Sequence, residues 1–117
     1  MVDVFVLGRK QTVPDEVRSL AQAKVARLAR LAPVLERAEV RITEGRDNSG
    51  AARQVCEVTM TGHGHTVRAR AAAHDAPVAV DLVVNKLEHQ VERLKGKLVG
   101  RSHPRHAKTA PPGPDRP

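Results

Sequence analysis

The stretch AEVRITEGRDNSGAARQVCEVTMTGHGHTVRARAAA (residues 38–73) decides the fold, because apolar and polar residues alternate along most of its length. Alternation with a period of two is typical of β-strands that bury one face. The polar loop at 45–50 and the Gly62-His63-Gly64 turn divide the stretch into three strands. Since both connections are short, we expect an antiparallel meander. The residues predicted to face the core are Val40, Ile42, Cys56, Val58, Met60, Val67, Ala69 and Ala71.

The residues on either side of this stretch supply one more strand and two helices. Residues 1–7 are a short β-branched run, and residues 13–16 (VPDE) begin a helix that runs to about Leu31. From Asp75 to Leu98 the apolar period becomes helical. A helix between the first two strands makes them a parallel pair. We therefore predict an α/β (α+β) two-layer sandwich of order β-α-β-β-β-α, with a four-stranded mixed sheet and two helices on one face.

The length of the chain indicates how many domains it forms, and its charge indicates the class of its partner. The chain has 117 residues, only 1% aromatic, and a formal net charge of +7. We expect one small domain with an aliphatic core and a polyanionic partner, nucleic acid before membrane. The domain is predicted at residues 1–100, and the basic, Pro-rich residues 101–117 are interpreted as a disordered tail. With one Cys and no membrane-length apolar run, we expect a cytoplasmic protein.

No pattern of residues indicates catalysis or cofactor binding. His63 and His65 flank Gly64, but no third ligand has the spacing of a metal site. Cys56 falls on the predicted core face, where a thiol acts as a small hydrophobic group. A Gly-rich phosphate loop and a nucleophilic Ser motif are also missing from the sequence. We therefore predict a protein that is not an enzyme and uses no cofactor, metal or small-molecule substrate.

Cations follow one border of each predicted helix. On the second helix, a step of about 100° per residue puts a basic row on one border of the apolar face and acidic residues toward the other side. We predict that the two basic rows converge in a groove between the helices and bind phosphates there. Solvated charges are the alternative, with Lys24 extending from the core edge into water. The candidates are Lys24, Arg27 and Arg30 on the first helix and Lys86, Gln90, Arg93 and Lys97 on the second.

The opposite face of the sheet is expected to carry charged and Thr side chains and no aromatic ring. Proteins that bind single strands on a sheet stack the bases on exposed rings. We therefore favour the helical side for binding and predict against that mode of RNA recognition.

Several of these residues together resemble the ribosome hibernation-promoting factor family, also called protein Y and formerly sigma-54 modulation protein. The resemblance covers roughly residues 2–98. It rests on Gly8-Arg9, Val13-Pro14-Asp15, Lys24 with Arg27-Leu28, and above all Ala79-x-Asp81…Lys86-Leu87-Glu88-x-Gln90…Arg93. The family fold is similar to a double-stranded-RNA-binding domain with one extra strand, in agreement with the predicted order. One departure is Pro77-Val78, where family members tend to carry bulkier residues.

The resemblance implies a function that the composition does not. Family members bind small-subunit rRNA in the channel of mRNA and of A- and P-site tRNA when growth stops, during stress or stationary phase, and so block initiation. The rRNA-binding residues that it implies are Lys24, Arg27, Lys86, Arg93 and Lys97, with Arg9 and Lys10 in a loop that can add contacts. Both a short form and the N-terminal domain of a long form fit the sequence.

Two other functions stay open on the sequence alone. A free-standing binder of double-stranded RNA, or of nucleic acid in general, would use the same basic helices. A regulator that binds a protein such as a sigma factor would use the acidic side of the second helix, and this is the weaker alternative.

Overall fold

The structure is a computed structural model, which describes residues 2–9 and 11–102, with side chains through Leu98. Its elements are β1 (Asp3–Arg9), α1 (Asp15–Ala29), β2 (Arg37–Arg46), β3 (Ala52–Gly62), β4 (His65–Ala73) and α2 (Ala76–Ser102). The predicted order and the two-layer α+β sandwich are confirmed.

The four strands form one sheet in the order β1-β2-β3-β4. β1 pairs with β2 in parallel, with Val6 opposite Val40. The β2–β3 and β3–β4 pairs are antiparallel, and they place Val58 between Val40 and Ala69. The parallel pair and the meander are therefore as predicted, and β1 and β4 are the two edge strands.

Both helices pack on the face of the sheet that carries the aliphatic residues. α1 contacts β1, whereas α2 contacts β3 and β4. Val25 of α1, Met60 of β3, and Leu87 and Val91 of α2 are fully buried. No polar or charged side chain is buried among the residues that the structure describes. The core is therefore aliphatic, as the composition predicts.

Cys56 lies within this core with none of its surface exposed. Burial raises the pKa of the Cys56 thiol to about 12, because a thiolate would lose its hydration there. The thiol is protonated at neutral pH and cannot act as a nucleophile. The predicted role of Cys56 as a small buried hydrophobic group is confirmed.

Several element boundaries differ from the predicted ones. β1 extends through Arg9, since the last two residues of the strand still pair with β2. α1 ends at Ala29, because the N–H groups of Leu31 and Ala32 bond to carbonyls three residues earlier rather than four. α2 continues to Ser102, four residues past the predicted end, as no proline interrupts the chain earlier. The remainder of the predicted tail, residues 103–117, lies outside the described residues.

Side chains from the two helices bond to the outer edges of the sheet. On β1, an Arg18 guanidinium nitrogen donates to the Val6 carbonyl at 2.7 Å. On β4, the Gln90 amide accepts from the Arg68 N–H at 3.1 Å and donates to the Arg68 carbonyl. Unpaired strand edges are templates for association with other chains. Here helix side chains occupy part of both edges.

Candidate nucleic-acid interface

The basic row of α2 lies beside β4, on the flank that faces away from α1. Lys86 Nζ donates to the Arg70 carbonyl at 2.9 Å, and Gln90 bonds to the backbone of Arg68, two residues earlier in β4. Arg93 and Lys97 line a groove of about 290 Å³ against the β3–β4 turn. The α2 residues predicted as candidates are therefore together on one surface, which we call the α2 basic row (Lys86, Gln90, Arg93 and Lys97).

The α1 candidates lie on the other side of α2. Lys24 Nζ is 3.1 Å from Asp81 Oδ1, and 38% of the Lys24 side chain is exposed. Asp81 projects from the α2 flank opposite Lys86, so this ion pair lies in the groove between the helices. Arg27 is exposed further along α1, and Arg30 is exposed immediately after the last residue of that helix.

The two basic rows do not converge in one groove, so that prediction is wrong. The reason is the position of α2 over β3 and β4, which turns its basic border toward the β4 edge and its acidic border toward α1. Asp81, Glu88 and Glu92 project toward that side of α2, within about 40° of one another, and we call them the acidic strip; Lys95 projects beside them.

The Lys24–Asp81 pair is exposed enough to be exchanged for another partner. Surface ion pairs of this kind contribute about 0.2–1 kcal/mol, because water already solvates both charges. A phosphate group can therefore compete with Asp81 for the Lys24 ammonium. Lys24 is compatible both with a structural role at the core edge and with binding.

Arg9 is separated from both helices. It is the last residue of β1 and pairs with Thr43, so it lies in the sheet rather than in the predicted loop. Its strand position places it on the open face, away from the α2 basic row. Lys10 lies outside the described residues.

The open face of the sheet carries an aromatic ring, contrary to the prediction. Phe5 is 42% exposed there, and the guanidinium carbon of Arg37 lies 4.3 Å from the centre of its ring. Leu7, 44% exposed, follows on the same face. Val6 is buried on the opposite face, and Phe5 is exposed because neighbouring strand residues point to opposite sides.

The described residues offer no metal site and no membrane span. No three side chains among His, Cys, Asp and Glu within residues 2–9 and 11–98 lie close enough to hold an ion. His63 is instead 3.1 Å from Glu36, at the surface. Neither helix, in the part that the structure describes, is long and apolar enough to cross a bilayer.

Comparison with known proteins connects this arrangement to one family. A family model described as sigma 54 modulation protein / S30EA ribosomal protein matches residues 4–99. A ribosomal subunit interface protein from Coxiella burnetii has the same fold at 20% identity, with a TM-score of 0.70 over 81% of this chain and 99% of that one.

The protein Y N-terminal domain of Thermus thermophilus is similar at 30% identity, with a TM-score of 0.64 over 80% of this chain and 99% of that one. No curated protein sequence matches. The family match covers most of the chain and all six structural elements. The chain therefore belongs to the sigma 54 modulation protein / S30EA ribosomal protein family, a family of ribosome-associated proteins.

Proposed function

We propose that this protein is a ribosome hibernation factor. It binds small-subunit rRNA in the path of mRNA and of the A- and P-site tRNAs, and it blocks initiation in the cytoplasm during stress or stationary phase. The family match and the likeness to the Thermus protein Y domain support ribosome binding. The basic surface of the helices supports rRNA as the component that is bound.

The observation that carries the proposal is the lack of acidic partners along the α2 basic row. Within the described residues, no carboxylate lies within 4.0 Å of the cationic groups of Lys86, Arg93 or Lys97, since the four ion pairs present all lie elsewhere. Lys86 uses one N–H for the Arg70 carbonyl and keeps two donors. Such cations can replace the counterions of phosphates, and the release of those counterions favours binding.

The two basic rows suit two phosphate backbones better than one. Lys24 and Arg27 on α1, with Arg30 just after its end, are separated from the α2 basic row by the acidic strip. A single strand of rRNA that touched both rows would have to cross those carboxylates. Two rRNA segments in a folded subunit can instead contact one row each.

The proposed inhibition requires that the protein occupy the path of mRNA and tRNA, and it requires no chemical reaction. Phosphate contacts fix the position of a protein on RNA without reading its sequence. A domain held in this way by both helices excludes mRNA and tRNA from the volume that it fills. The inhibition therefore depends on affinity and concentration, with no substrate consumed.

Cosedimentation with purified small subunits tests the proposal. Lys86→Glu/Arg93→Glu is expected to abolish pelleting with the subunit. Lys95→Glu is the control, because Lys95 is exposed on α2 but projects about 160° away from Lys97. It should pellet like the unmodified protein, and thermal melting verifies that each variant is folded.

Normal pelleting of the folded double variant would refute the role of the α2 basic row. Loss of pelleting in the Lys95→Glu control would show a response to net charge alone. A protein that binds duplex RNA but never pellets with subunits would be a general RNA binder. The protein-binding alternative is weakened by the Lys24–Asp81 pair, because the acidic strip is partly used within the molecule.

A further inference from the structure

We propose that the open face of the sheet is a second nucleic-acid-binding surface, which takes a single-stranded RNA segment. Arg9, Arg41 and Arg70 would contact its phosphates, and Phe5 with Arg37 would stack on a base. This inference goes beyond the proposed function, whose rRNA contacts lie mainly on the two helices and share only Arg9 with this face.

The charge of this face favours a polyanion. All the cations on it, within the described residues, are arginines, and they outnumber the carboxylates. The arginines are Arg9, Arg37, Arg41, Arg53, Arg68 and Arg70, and the acids are Asp3, Glu39 and Glu57. Arginine binds phosphate through two parallel N–H bonds, which a lysine cannot do.

Three of these arginines line one shallow concavity. Arg9, Arg41 and Arg70 meet there around a space of about 310 Å³. Glu57 lies between Arg41 and Arg70 in the strand register, but its carboxylate is 3.3 Å from the Arg68 guanidinium. Glu44 also lines the concavity, so its three arginines exceed its carboxylates by one, and the Glu57 carboxylate is already engaged by Arg68.

The donors of these arginines are largely available. Arg41 contacts Glu39 at a distance of 3.6 Å, which is long for an ion pair, and the two side chains are 44% and 31% exposed. No described carboxylate lies within 4.0 Å of the guanidinium groups of Arg9 or Arg70. A phosphate entering the concavity would therefore find unpaired N–H groups without first breaking a strong ion pair.

Phe5 and Arg37 supply a stacking position at the far end of the same face. The ring is 42% exposed, with the guanidinium 4.3 Å from its centre. Bases of single-stranded RNA stack on aromatic rings and on guanidinium planes. An open sheet face with one such position and a basic concavity suits an unpaired strand, whereas duplex RNA is bound mainly through its shape and backbone.

The basic surface is continuous around the β4 edge. Arg68 and Arg70 project onto the open face, while their backbone groups bond to Gln90 and Lys86 of α2. A strand that leaves the α2 basic row can therefore pass over β4, where Arg68 and Arg70 project, to reach the concavity. This continuity favours RNA over a protein partner.

The test is fluorescence anisotropy of the full chain with a labelled single-stranded oligoribonucleotide. Arg41→Gln/Arg70→Gln should weaken binding by roughly tenfold or more, since bonds to charged groups are worth about 1.5–3 kcal/mol each. Phe5→Leu keeps the charge and the apolar contact but loses the ring, and should weaken binding by roughly fivefold. The control is Arg46→Gln/Lys95→Gln, which makes the same change in net charge at exposed positions off both surfaces.

Equal losses in the sheet variant and in the control would overturn the proposal, because binding would then follow net charge only. An unchanged affinity of Phe5→Leu would overturn the stacking role. Small-subunit pelleting of the same variants separates this inference from the proposed function. If Arg41→Gln/Arg70→Gln still pellets but binds the oligonucleotide like the unmodified protein, only the second surface is refuted.

Discussion

The substitution Gln90→Glu tests the hydrogen bonds between α2 and the β4 edge, because it replaces only the amide nitrogen of the side chain by an oxygen. The Gln90 amide donates to the Arg68 carbonyl and accepts from the Arg68 N–H. In Gln90→Glu the acceptor is kept, but at neutral pH an anionic oxygen replaces the donor and faces the carbonyl. One hydrogen bond is lost and a repulsion is added, which should lower the free energy of unfolding by about 1–2 kcal/mol.

The same substitution makes a prediction about pH. Below about pH 4.3, the ordinary pKa of Glu, the carboxyl carries an O–H that can donate to the Arg68 carbonyl again. Repulsion from the Arg68 carbonyl raises the carboxyl pKa in the folded state above its unfolded value, and for this prediction it must outweigh the Arg68 N–H and the cations of Lys86 and Arg93, which lower that pKa. The stabilisation from the protonated group is therefore present at low pH and lost as the pH rises through the folded pKa.

The assay is urea denaturation of the variant and the unmodified protein at pH 7 and at pH 4. In thermal melts, a deficit of 1 kcal/mol corresponds to a fall in Tm of about 4–8 °C for a domain of this size. Gln22→Glu is the matched control, because it makes the same change at an exposed position of α1. The reasoning would be refuted if the loss in free energy of unfolding were equal at both pH values, or if the control lost as much as Gln90→Glu.

Three further outcomes follow from the structure. Gly62→Ala should destabilise the fold by about 1–3 kcal/mol in thermal melts, because the new Cβ would overlap the backbone of Val34 and Leu35. Gly96→Ala should instead stabilise α2 by about 0.5–1 kcal/mol, because a Cβ at that position meets open space. Cys56 should resist a thiol reagent in the native protein at neutral pH and react once urea unfolds the chain; rapid native labelling would contradict its burial. The affinity for small subunits should fall steeply with salt, by a log–log slope of about 0.7–0.9 per phosphate contact, and a flat response would indicate protein–protein recognition.

Element order could be predicted because β2, β3, β4 and both helices each have one apolar face, and because the apolar run of β1 is short and ends at Gly8. The residues Val40, Val58 and Leu87 sit in plain patterns of period two or 3.6, and all three are buried as expected. A helical projection with about 100° per residue also places Lys86 and Asp81 on opposite flanks of α2. It does not reveal which flank meets α1, since that depends on where the helix lies across the sheet, a long-range property.

The open face was misjudged for a local reason. Residues 2–7 (VDVFVL) form a nearly continuous apolar run, which hides the alternation that brings Val6 into the core and Phe5 to the surface. Arg9 was misplaced because Gly8 suggests a turn, whereas it continues the pairing with β2. Both errors concern β1, an edge strand whose limits are set by its neighbour more than by its own sequence.

The acidic strip on α2 restricts the angle at which a polyanion can approach. Two basic rows with carboxylates between them make an alternating pattern of positive, negative and positive charge across the helical side. A rotation or a sideways shift of the molecule would bring Glu88 and Glu92 against phosphates, and repulsion would raise the energy of that pose. A uniformly basic surface would accept RNA at any angle. Under the proposed function, the alternating charges would make the affinity for RNA depend on its orientation without any contact to a base edge.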